Sequence, residues 1–279
     1  MDDLVSTDWL AAQPHAADLR VVDATYVDAA TGRDPAAEYA AAHIPGAVFL
    51  DLGELRNIAD PRPMMMPSRM KFAGRMQALG IGDRDRIVLY DDSPWRTSAR
   101  AWFMLRQFGA RSVALLDGGL AKWKAEGRLL VGGDERPRRA KFDGRTEPED
   151  VRTLDEVQQA LRLADAQLLD ARSAARFTGD EPDPRPGVAP GHMPGAKNLP
   201  SGDLFNPDGT WKTGDALAQA FAAAGVDLNR RIITTCGSGI TAAVLSFGLH
   251  LLGRDSALYD GSWSEWGASP ATAKAMGEV

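Results

Sequence analysis

The one cysteine of the chain, Cys236, closes an apolar run and opens a glycine-rich stretch: Ile232-Ile233-Thr234-Thr235-Cys236-Gly237-Ser238-Gly239-Ile240-Thr241-Ala242. That order reads as strand, tight loop and helix. Gly237 and Gly239 relax the backbone restrictions, so successive N–H groups can turn toward one point, and the start of a helix adds positive potential there. Such surroundings favour a thiolate over a thiol, and the thiolate is the nucleophile. A lone cysteine is more often inert core. Its place at a strand end before two glycines, rather than on an apolar helix face, favours the reactive reading.

Two thiolate chemistries use a loop of this kind. A cysteine phosphatase needs an arginine six residues after the nucleophile to clamp phosphoryl oxygens, and that position is Ala242. Sulfur transfer asks only that the thiolate take a sulfur atom, with inward N–H groups stabilising the resulting persulfide. It needs no metal, organic cofactor or second cysteine.

The elements that must position this loop come from a duplication. Leu19-Arg20-Val21-Val22-Asp23-Ala24 precedes His43-Ile44-Pro45-Gly46-Ala47, as Gln167-Leu168-Leu169-Asp170-Ala171-Arg172 precedes His192-Met193-Pro194-Gly195-Ala196. Arg86-Ile87-Val88-Leu89-Tyr90 and Leu116-Asp117-Gly118-Gly119 find counterparts in Arg231-Ile232-Ile233-Thr234-Thr235 and Tyr259-Asp260-Gly261-Ser262, and Trp123 matches Trp266. Order and spacing are kept with small insertions, the mark of an internal repeat. The polar stretch 131–150 reads as a connector, giving an N-terminal domain over 1–142 and a C-terminal domain over 150–279. Apolar runs at 20–22, 87–90, 113–116, 168–169, 232–235 and 257–259 alternate with amphipathic segments, of which 101–108 and 241–252 are the clearest helices. The expected fold is therefore α/β: two tandem domains, each a mostly parallel sheet flanked by helices.

Composition excludes other classes. The 279 residues carry a net charge of −6, with an isoelectric point near 5.3, which argues against a nucleic-acid footprint or an anionic-membrane surface. No apolar run is long enough to span a bilayer, and Met1-Asp2-Asp3-Leu4 lacks the basic start of a signal peptide, so the expectation is cytoplasmic. A single cysteine rules out an intrachain disulfide, and His15, His43, His192 and His250 show no metal-ligand spacing. His43 and His192 recur in both repeats, as do Asp23 and Asp170 and Asp117 and Asp260 at strand ends. Structural hydrogen bonds and turn-fixing are their expected roles. Trp263 and Trp266 are read as packing, and Met64-Met65-Met66 as core or an apolar rim.

These residues resemble the rhodanese-like sulfurtransferases in their tandem two-domain form. The resemblance rests on Asp170-Ala171-Arg172, Gly191-His192-Met193-Pro194-Gly195-Ala196, the Cys236 loop and Asp260-Gly261-Ser262-Trp263-Ser264-Glu265-Trp266, and it covers nearly the whole chain. It implies that the C-terminal domain is catalytic and the N-terminal one is not. Asp91 stands where the first repeat would carry its cysteine.

Within the family, the loop resembles the version that takes sulfur from 3-mercaptopyruvate, with Ile240 replacing a valine. Thiosulfate-using members carry basic residues just after the cysteine, where this chain has Gly237 and Ser238. The resemblance implies that Cys236 becomes a persulfide, that Gly237, Gly239, Ile240 and Thr241 shape its pocket, and that Arg176 and Arg185 bind the donor carboxylate. A planar guanidinium fork suits that contact. By themselves, Arg185 reads as solvated surface and Arg176 as ambiguous. Ser238 reads equally as a hydrogen-bond donor to the substrate and as a turn former. The implied partners are a small sulfur donor, releasing pyruvate, and a thiol acceptor such as a thioredoxin-like reductant, or cyanide in an assay. Many such enzymes have an Asp and a His in the first domain as a proton relay, and Gly53 and Met64 occupy those positions here. A thiosulfate-using enzyme and a persulfide carrier that does not turn over stay open as alternatives.

Overall fold

The computed structural model describes all residues except 14–15, 136, 138, 145–147 and 278–279. His15, and Arg136 in the expected connector, thus lie outside the described residues. In the first half, strands β1 (Leu4–Val5), β2 (Leu19–Asp23), β3 (Ala47–Phe49), β4 (Arg86–Tyr90) and β5 (Ser112–Leu116) form one sheet in the order β1-β5-β4-β2-β3. Every pairing in it is parallel. Helices α1 (Thr7–Ala11), α2 (Pro35–Ala41), α3 (Leu52–Leu55), α4 (Arg69–Ala78), α5 (Ser98–Gln107) and α6 (Gly119–Ala125) connect the strands.

The second half repeats the plan. Strands β6 (Val151–Arg152), β7 (Gln167–Asp170), β8 (Lys197–Asn198), β9 (Ile232–Thr235) and β10 (Ala257–Tyr259) lie in the order β6-β10-β9-β7-β8, again all parallel. Helices α7 (Leu154–Leu163), α8 (Ala174–Thr178), α9 (Gly214–Ala223), α10 (Ala242–Leu251) and α11 (Ser262–Trp266) accompany them. Each half is thus a parallel α/β domain, as expected.

The central strands explain why the apolar runs were legible. Ile87, Val88, Leu89 and Tyr90 of β4 are fully buried, the continuous apolar pattern of a strand covered on both faces. Strands β1, β3, β6 and β8 have only two or three residues, too few for any periodic signal. Helix α5 starts at Ser98, before the apolar run at 101, because Thr97 already holds αR geometry. Helix α7 starts on a reciprocal capping box between Thr153 and Glu156.

Two compact units result, and neither is contiguous in sequence. Residues 1–58, 66–149 and 207–211 form one, and residues 59–65, 150–206 and 212–279 form the other. A single cut between 142 and 150 carries no trace of these two short excursions. Among the described residues, no helix is long and apolar enough to cross a membrane.

Candidate active site

Strand β9 ends at Thr235 and the next residue, Cys236, is 1% exposed. Its Sγ accepts a hydrogen bond from the Gly239 amide at 3.1 Å. Gly239 has φ +81, a left-handed conformation that side chains disfavour and that turns its N–H back toward the sulfur. Thr241 follows in αR geometry with no side-chain cap, leaving the first amides of α10 uncapped by it. Ile240 is buried, and Ser238 and Thr241 are half-buried.

The other side of the loop is clamped by the start of α11. The Cys236 carbonyl accepts from Trp263 N–H at 2.9 Å, and the Gly237 carbonyl from Ser264 N–H at 3.0 Å. The Cys236 amide donates to Ser262 Oγ at 3.3 Å, and that hydroxyl donates to the Tyr259 carbonyl at 2.8 Å. The loop backbone is therefore held by bonds on its far side while the sulfur faces the Gly239 amide.

Two arginines converge on the same loop. A Cβ built on Gly237 would lie 2.6 Å from Arg185 Nη2 and 3.5 Å from Arg176 Nη2. Glycine at 237 is thus what lets Arg185 lie against the backbone next to the sulfur. Both guanidinium groups share one carboxylate, Asp183, whose side chain is 1% exposed: Arg176 Nη2 donates to Oδ2 at 2.5 Å and Arg185 Nη1 lies 3.2 Å from Oδ1. The Arg185 amide also bonds Asp183 Oδ1 at 3.0 Å. Two cations on one anion leave net positive charge beside Cys236, the condition for receiving an anion. Burial pushes the Arg185 pKa below the ordinary guanidinium value. The Asp183 charge opposes that shift and the like charge of Arg176 adds to it. Arg176 Nε is buried and without a hydrogen-bond partner among the described residues.

The predicted residues Cys236, Gly237, Gly239, Arg176 and Arg185 therefore meet in one unit. Arg185 is not solvated surface, the reading its type suggests in isolation. Asp183, a residue for which the sequence suggests no role, collects both arginines. The only available signal was its spacing, two residues before Arg185, which suits a side-chain-to-backbone turn. Behind the site, Arg172 forms a buried pair with Asp170 at 2.7 Å and lies over the Trp263 ring at 4.6 Å. His192 bonds the Phe177 carbonyl through Nδ1 and stacks on its ring. His43 does the same with Tyr39. Met64 is buried with φ +58. Its segment offers Arg62, paired with Asp60 and Glu265, and Glu265 also accepts from the Tyr259 hydroxyl.

A parallel α/β domain built twice, with a cysteine on an amide-rich loop in the second copy, defines the class. The rhodanese-like domain family model matches residues 6–126 and again 153–269, and the chain belongs to that family. It is 40% identical over 266 residues to the 3-mercaptopyruvate sulfurtransferase of Escherichia coli K12, covering 95% of this chain and 94% of that protein. It is 36% identical to the thiosulfate sulfurtransferase of Cricetulus griseus, covering 99% and 96%. The crystal structure of SseA from Escherichia coli, described as a 3-mercaptopyruvate sulfotransferase, superposes with a TM-score of 0.86 at 37% identity, over 95% of this chain and all of that one. The protein is a sulfurtransferase.

Proposed function

We propose that the protein moves sulfur from 3-mercaptopyruvate to a thiol through a Cys236 persulfide. The observation that carries this reading is the pair Arg176 and Arg185, joined by Asp183 and resting on Gly237 beside the sulfur. A carboxylate on that pair receives up to two charge-assisted forks, which directs the short β-thiol arm of a mercapto keto acid toward Cys236.

The Cys236 thiolate attacks the donor sulfur, forming the S–S bond. The carbon–sulfur bond breaks and its electron pair passes into the adjacent ketone as an enolate, which takes a proton to leave as pyruvate. The Gly239 amide stabilises the charge near the sulfur during this exchange. A second thiolate attacks the outer sulfur, leaves as a persulfide and returns Cys236 to its thiolate form, a ping-pong covalent cycle. Ser238 is half-buried beside this path and donates its hydroxyl to the donor. The first unit, with Asp91 at the matching position, does not take part in the sulfur exchange.

The test is intact-mass spectrometry of the protein after separate exposure to 3-mercaptopyruvate and to thiosulfate, with pyruvate and sulfite quantified. A one-sulfur mass gain on Cys236 with stoichiometric pyruvate is expected. Sulfite release with faster loading from thiosulfate would transfer the assignment to that donor, and loading without turnover by any thiol or cyanide would make the protein a carrier.

A further inference from the structure

The two repeats differ most tellingly at one buried carboxylate. In the second unit, the Arg172 amide bonds Asp170 Oδ1 at 3.0 Å, and the Arg172 side chain folds back over the same carboxylate. The guanidinium also donates to the Gly191 carbonyl at 2.8 Å and to the Arg176 carbonyl at 3.4 Å, and it lies over Trp263. In the first unit the backbone makes the same turn, with the Thr25 amide bonding Asp23 Oδ1 at 2.9 Å. The residue at the arginine's position is Thr25, whose short hydroxyl also bonds Asp23.

Where the guanidinium lies in the second unit, the first has a cavity of about 360 Å³. Its lining includes the positional counterparts of the residues around Arg172: Asp23 for Asp170, Ala42 for Gly191, Glu38 for Arg176 and Leu120 for Trp263. The stacked pairs Tyr39–His43 and Phe177–His192 fix the first part of this alignment. The matching left-handed residues Gly119 (φ +59) and Ser262 (φ +50) fix the second. Arg33 and Lys124 stand at the rim, but Arg33 is engaged by Glu38 through two hydrogen bonds and Lys124 by Asp92 at 3.2 Å. The Arg33 charge acts on Asp23 from the rim, and the Tyr90 hydroxyl bonds the Asp23 carboxyl, but among the described residues no ion pair is formed with Asp23 as Arg172 forms one with Asp170. The pKa of its buried carboxyl is pushed up to about 6, chiefly by burial.

We infer that this cavity in the first unit is a binding site for a small guanidinium compound, whose planar cation takes on Asp23 the place that Arg172 takes on Asp170. The floor is a buried carboxylate that pairs bidentately with a guanidinium fork, the wall at Leu120 is apolar, and the rim is charge-paired. The space exceeds what a guanidinium head needs, leaving room for a short alkyl tail. Sulfur chemistry at Cys236 plays no part in this binding, so the inference does not depend on the donor assignment.

The experiment is a titration of the full chain with methylguanidinium, at millimolar concentrations below those that denature, followed by amide chemical shifts. Methylammonium is the control cation. Saturable shifts confined to residues 23–25, 33–42 and 120–124 are expected, with at least tenfold weaker binding of methylammonium. Asp23→Asn should weaken methylguanidinium at least tenfold. Thr25→Arg should abolish its binding, by giving the first unit the internal guanidinium of the second. Shifts scattered over the surface, equal response to methylammonium, or undiminished binding by either folded variant would overturn the inference.

Discussion

The loop after β4 and the loop after β9 are the same construction around different atoms. Each follows a buried strand and runs into a helix whose N-cap threonine, Thr97 or Thr241, has nearly the same αR geometry. In the first, Asp91 accepts the Ser93 amide at 2.9 Å and the Ser98 amide at 2.8 Å, so the amides that such a turn turns inward are used by the chain's own carboxylate. Burial raises the Asp91 pKa, and the Ser98 and Ser93 hydrogen bonds oppose the rise. In the second, one sulfur takes the Gly239 amide and two arginines stand over the adjacent glycine. The scaffold gathers hydrogen-bond donors at a strand end in both cases. The residue placed there decides whether they are satisfied internally or serve a reacting atom.

The comparison breaks most sharply at the cysteine. Cys236→Ser should reduce turnover with either donor by a factor on the order of a thousand or more, since it removes the nucleophile. In that background Asp91→Cys should restore nothing, because Glu38 rather than an arginine stands at the position of Arg176. Sulfur transfer by the double variant would show that the loop alone suffices.

Removing the Arg172 side chain tests the other difference. Arg172→Ala leaves Asp170 buried and unpaired, and should cost about 3–5 kcal/mol of stability, read from denaturant unfolding. Its effect should far exceed that of Thr25→Ala in the first unit.

The pH dependence of stability separates the two carboxylates further. The Asp23 pKa is raised to about 6 in the native state, above its unfolded value of about 4, so the native state holds the proton more tightly. Stability from this group is therefore greatest below about pH 4 and falls as pH rises toward 6, by up to about 3 kcal/mol. The melting temperature of the wild type should lose ground to that of Asp23→Asn across this interval, and a constant difference would count against the assignment.

Smaller effects sharpen the picture of the anion site. Arg185→Ala should raise KM for 3-mercaptopyruvate about tenfold, as expected for a charge-assisted contact on a partly exposed side chain, with kcat changed less. Gly237→Ala puts a methyl group 2.6 Å from Arg185 Nη2. The end of a long side chain can yield, so a KM rise of only about threefold is expected. Steady-state kinetics with both donors measures each, and a larger effect for Gly237→Ala than for Arg185→Ala would mean that the loop itself had moved.

Much of this architecture is legible in the chain itself. The duplication, the buried central strands and the cysteine loop all depend on near neighbours: apolar runs, glycines at forced turns, a cysteine at a strand end. The edge strands escape such reading, because two or three residues paired to a distant segment carry no pattern of their own.

What a sequence determines by itself is local conformation and residue chemistry, and here that was enough for the class of fold and the reacting atom. Only the folded chain decided that Asp183 holds two arginines together, that Gly237 is bare so that Arg185 can rest on it, and that Thr25 opens a space where Arg172 fills one. Those facts join residues brought together by tertiary packing, and their distances follow from the closing of the whole sheet rather than from any spacing along the backbone.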